Sequence, residues 1–170
     1  MLFRSVVVVA KGYLTLFCEE FENPRSWWYK IHNYNGVNGG AAGCLALALR
    51  TAHPEEAPSW IDRAVAIVER WMTSGFDEEG AYFEGISYSA YGLSSTLLFA
   101  DALRRAGSRH DLYRHPLLQQ LGAYYALSLL PGESVYDRSE ERRVGKECKS
   151  RRSTYQYKIA YIIVPQRARV

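Results

Sequence analysis

From residue 6 to residue 21 apolar side chains stand at 6–10, 13, 14, 16, 17 and 21, and a run of that length predicts a buried helix rather than a strand. Asn23-Pro24 breaks it. An aromatic, amide- and glycine-rich stretch over 27–40 reads as a loop, leading into a helix over 41–52 whose small side chains and leucines suit close packing. Pro54 and Pro58 bracket a turn, after which Ser59 can cap a second helix. Its apolar positions, from Trp60 through Ala64, Ile67 and Val68 to Trp71, follow the 3.6-residue repeat, and it ends near Gly75. An acidic loop over 77–85 feeds a helix over 87–106 that Gly107 stops. His115-Pro116 opens a last helix over 116–130, which Pro131-Gly132 ends.

Helices alternating with short turns, and no strand pattern, predict an all-α fold of antiparallel helical hairpins in which every second helix points the same way. The loops at 27–40 and 77–86 both precede helices of the same parity, so both are expected to open on one rim. Helix N-termini there carry partial positive charge and free N–H groups, which favour an anionic ligand.

Composition changes this picture mainly at the ends. The 170 residues, 48% of them apolar, can build one core. The net charge of +3 is unevenly spread: residues 138–170 hold ten basic and three acidic side chains, leaving the rest at −4. Such a tail would ordinarily suggest nucleic acid or an acidic surface. However, Arg138-Ser-Glu-Glu-Arg-Arg-Val-Gly-Lys-Glu-Cys148 resembles the translation of a short-read sequencing adapter, and Leu2-Phe3-Arg4-Ser5 resembles the same adapter read from the other strand. Residues 1–5 and 138–170 are therefore expected to be artefactual, and 6–137 to be a fragment of a longer domain. With the tail set aside, no nucleic-acid partner is expected. No apolar run approaches the roughly 18 residues that span a bilayer, and no export signal is readable. Cys18, Cys44 and Cys148 have neither metal-ligand nor disulfide-scaffold spacing.

Candidate chemistry sits in the two loops. Tyr88 and Tyr91 are three apart at a helix start and so share a face. Paired phenols suit a sugar site, and a phenol can move a proton if neighbouring groups assist it. His32, Asn33 and Asn35 can hydrogen-bond a carboxylate and stabilise the charge that develops when its α-proton leaves. Gly36-Val37-Asn38-Gly39-Gly40 lacks the spacing of a phosphate-binding loop, so no nucleotide cofactor is expected, and no metal site is readable.

The lead-in His32-Asn33-Tyr34-Asn35-Gly36-Val37-Asn38-Gly39-Gly40, followed some 45 residues later by Glu84-Gly85-Ile86-Ser87-Tyr88-Ser89-Ala90-Tyr91-Gly92, resembles the heparinase II/III family of polysaccharide lyases and oligo-alginate lyases. The likeness covers 28–137 and rests mainly on the EGxxYxxYG segment. It implies a partial (α/α) toroid, normally followed by a β-sandwich domain, and β-elimination at a uronic acid in an acidic polysaccharide or oligosaccharide. Tyr88 matches the family's catalytic tyrosine, and His32 and Asn33 lie where it places the groups that neutralise the uronate carboxylate. Trp28, Asn35, Glu84 and Tyr91 are then expected to bind substrate. The order His32-Asn33-Tyr34 departs from the family's Asn-Asn followed by His or Trp. The resemblance also implies a periplasmic or secreted parent, and a further histidine from outside this chain, so the chain alone is expected to be inactive.

Two other readings fit the same residues. A glycoside hydrolase on an (α/α) scaffold would draw a carboxylate pair from Asp77, Glu78, Glu79 and Glu84. A non-catalytic helical-repeat module would bind glycan or protein by stacking on Trp27, Trp28, Tyr88 and Tyr91.

Overall fold

A computed structural model describes residues 2–23, 25–130 and 134–135. The basic tail, Cys148 and the breakers Pro24 and Pro131-Gly132 lie outside the described residues. The fold is all-α: α1 (Leu2–Glu22), α2 (Asn33–Leu49), α3 (Ala57–Ser74), α4 (Ile86–Arg105) and α5 (Leu117–Leu127). Single 3-10 turns at Trp27–Tyr29 and Leu112–Arg114 join them, and a two-residue antiparallel pair, Leu129–Leu130 with Ser134–Val135, follows α5.

Side-chain pairings fix the helix directions. Lys11 meets Glu56 and Glu22 meets Arg63, so α1 and α3 run parallel. Gly36 abuts Gly92, Gly40 abuts Ser95 and Thr96, and Gly43 abuts the Phe99 ring, so α2 and α4 also run parallel. Gly36 against Trp71 and Gly39 against Ile67 and Val68 make α2 and α3 antiparallel. The expected alternation is therefore present, with α2 enclosed between α3 and α4. The core is centred on Leu14, Ile67, Trp71, Leu93, Phe99 and Leu103, all fully buried.

The largest correction concerns the glycine-rich segment. The loop expected over 27–40 ends at His32, and the Asn-Gly run is the first half of α2. Glycine disfavours a helix by roughly 1 kcal/mol each, but here tertiary packing overrides propensity. A methyl added at Gly40 would stand 2.5 Å from the Ser95 carbonyl oxygen, so only a bare backbone lets α2 and α4 approach this closely. The helix starting near Ser59 instead begins at Ala57, with Pro58 in the first turn, where its missing N–H costs no helix hydrogen bond. At the end of α4 the expected stop holds: Gly107, at φ +65°, lets Ser108 N–H reach Leu103 O and Gly107 N–H reach Arg104 O. Leu2 to Ser5, expected to be foreign sequence, continue α1 as helix.

Candidate functional site

The starts of α2 and α4 lie side by side. Asn33 is one turn before Gly36 and Tyr88 one turn before Gly92, the two glycines that meet across the seam. The preceding loops are bonded to each other: Asn33 N–H donates to Glu84 Oε2 at 2.7 Å, across 51 residues of chain. The same oxygen accepts the Tyr82 hydroxyl at 2.6 Å. Tyr82 in turn accepts from Trp71 Nε1 at 3.0 Å. An indole N–H can only donate, which leaves the Tyr82 hydroxyl proton for the carboxylate. Burial first, and then the hydrogen bond to Glu84, push the Tyr82 phenol far above its ordinary range, so it stays protonated.

This chain of bonds alters the expected electrostatics. The anion at the start of α2 is Glu84 itself, which already takes an orphan amide of the first turn and opposes the helix dipole. A ligand carboxylate there would have to be met by side chains. Two are placed for it. Asn33 is 5% exposed, at the first position of α2. His32 caps α2, its side chain facing the Asn35 backbone N–H in a capping box; Nδ1 is buried and makes no hydrogen bond of normal geometry among the described residues, and the ring lies near Trp27, with centroids 6.3 Å apart, and Tyr34 at 5.3 Å. Tyr88 and Tyr91, 45% and 51% exposed on the first turns of α4, reach solvent.

Other expected contacts are turned inward. Asn35 is 0% exposed, accepts from His32 N–H at 3.0 Å and donates to Trp28 O at 2.7 Å. Both ends of its amide are spent fastening the start of α2, which leaves nothing to offer a ligand. Trp28 is buried, stacked on Phe21 at 4.7 Å, with Nε1 donating to Phe21 O. Arg70 covers its other surroundings from 5.1 Å, so Trp28 packs the α1–α2 corner and offers no stacking face to a sugar. Glu84, expected to touch substrate, ties the two loops together. Asp77 Oδ1 is likewise occupied, accepting Glu79 N–H and Ala81 N–H and closing the acidic turn.

The spacing of Tyr82 and Glu84 does not mark them as a pair in the sequence, because Phe83 and Glu84 form a turn closed by Gly85 N–H on Tyr82 O rather than extended chain. Nothing in the pattern marked Trp71 as their third member. An open depression of about 460 Å³ adjoins the pair, lined by Phe76, Asp77, Tyr82 and Phe83. α5 flanks the region, with Tyr125 Oη and Ser89 Oγ 2.8 Å apart. No group of metal-ligating side chains occurs among the described residues, and no helix of theirs is long and apolar enough to cross a membrane. Searches against protein families, curated proteins and solved structures find no match to this chain.

Proposed function

We propose that this chain is part of an (α/α) toroid that binds uronic-acid glycans, and that in its longer parent the paired helix starts carry out β-elimination. The observation that carries the reading is the bonded, parallel placement of the α2 and α4 starts. It puts the Asn33 side-chain amide and the His32 ring at the end where two phenols meet solvent. In this reading Asn33 and His32 hold the uronate carboxylate and stabilise the charge spreading into it as the C5 proton departs. A base takes the C5 proton, the C5–H electrons form the C4–C5 double bond, the C4–O bond breaks, and Tyr88 protonates the departing oxygen. In a syn elimination Tyr88, entering as phenolate, takes the C5 proton and passes it to that oxygen.

Asp77 and Glu84 each commit one oxygen to fastening the loop, which weighs against their serving as a hydrolase pair, and the burial of Trp28 weighs against a stacking module built on it. The test uses the half-buried Trp27 beside His32 as reporter. An oligouronate is expected to change the tryptophan fluorescence saturably, while a neutral oligosaccharide of equal length does not. Equal responses, or none, would remove the reading.

A further inference from the structure

Resting on that reading of the site, we infer that Glu84 is a positioning residue, a carboxylate staple that sets the Asn33/His32 side of the cleft against Tyr88. Its surroundings support this role. Glu84 directly precedes Gly85, whose φ of +97° turns the chain into α4, and it lies four residues before Tyr88. One oxygen, Oε2, gathers a backbone donor from α2 and the Tyr82 hydroxyl, and through Tyr82 it is anchored to Trp71, which is 0% exposed in the last turn of α3. The oxygen thus joins α2 directly, and α3 through Tyr82, to the loop that enters α4. Both bonds are short, at 2.7 and 2.6 Å, within the range of hydrogen bonds to a carboxylate. Neither a neutral loop nor the glycine seam can replace it, because the seam fixes how near α2 and α4 lie while leaving the loops free to shift along it. The substrate role expected for Glu84 is exchanged for one that acts through Asn33 and Tyr88.

The experiment removes the staple and returns it as a free ion. In the full chain, Glu84→Ala leaves Asn33 N–H and Tyr82 O–H facing a vacancy the size of a carboxylate. Amide NMR is expected to show the Asn33 resonance displaced and hydrogen exchange faster in the first turns of α2 and α4, with Ile67 and Val68 in α3 unchanged. Oligouronate affinity is expected to fall about tenfold, the change that loss of one charge-assisted hydrogen bond corresponds to. Added acetate should restore the Asn33 resonance and the exchange protection, while chloride at equal ionic strength should not. Glu84→Gln, which keeps an acceptor but not the charge, should give the same changes at smaller size and serves if the alanine variant does not fold. If acetate restores the first turns but neither wild type nor variant binds oligouronate, the staple stands and the uronate reading fails. Unchanged first turns in both variants, or a uniform loss of protection across all five helices that acetate leaves untouched, would overturn the assignment.

Discussion

α1 and α2 are both apolar helices without acidic residues in the first turn, yet they occupy opposite situations. α2 is closed in by α3 and α4 and fills its interfaces with bare backbone. α1 buries Ala10, Leu14 and Phe17 but leaves Val6, Val9 and Leu16 more than half exposed. Shape, rather than hydrophobicity, separates the two. A valine-rich helix can cover a core from outside, whereas a helix between two others needs positions where no side chain intrudes. The same closeness aligns the starts of α2 and α4, so the packing of the seam and the assembly of the candidate site are one event.

The contrast is most directly broken by giving each helix the same methyl group. Gly40→Ala would press a Cβ against the Ser95 carbonyl, backbone that cannot yield, and is expected to cost about 3 kcal/mol or more in denaturant unfolding. Tyr82→Phe comes next: it strands the Trp71 indole N–H and removes a donor from Glu84, for a loss of about 1–3 kcal/mol together with a displaced Asn33 amide resonance. Gly12→Ala on α1 has nothing within 4 Å and should act in the opposite direction, stabilising by about 0.5–1 kcal/mol through helix propensity. Similar losses for the two glycine variants would dissolve the distinction between the helices.

The smallest effect concerns α5, the flank of the site. Leu117 N–H donates to His115 Nδ1, while the Thr73 hydroxyl donates to Glu69 O and leaves its oxygen facing His115 Nε2 at 3.1 Å. This arrangement requires a neutral ring protonated at Nε2. Burial lowers the His115 value below its ordinary 6.5, against an opposing pull from Glu69. The unfolded chain therefore takes up the proton first as pH falls. The latch contributes fully above about 6.5, and its contribution is lost progressively below that value. Melting temperatures at neutral and mildly acidic pH should diverge less in His115→Gln than in wild type. An identical divergence would mean that His115 is not the titrating latch.

Much of the architecture was legible because helix periodicity is a local property. The repeat from Trp60 to Trp71, the stop at Gly107 and the parity that aligns α2 with α4 all follow from spacing. The start of α2 was not legible: Asn-Gly dipeptides favour turns locally, and only the neighbouring Ser95 and Phe99 surfaces explain why the backbone there is helical. Of the candidate site, the shared, exposed face of Tyr88 and Tyr91 was legible. Its wiring was hidden. Asn35, Trp28 and Glu84 are residue types that bind sugars as readily as they fasten loops, and which they do depends on partners up to 51 residues away.

If the proposed function is right, the starts of α2 and α4 form a single uronate-binding unit. A heteronuclear NMR titration of the full chain with a defined oligouronate tests this most directly. The His32, Asn33 and Tyr88 resonances are expected to move together with one dissociation constant, and Asn33→Ala is expected to abolish the movement at Tyr88. Perturbation of one helix start without the other, or shifts confined to surfaces away from both, would contradict it.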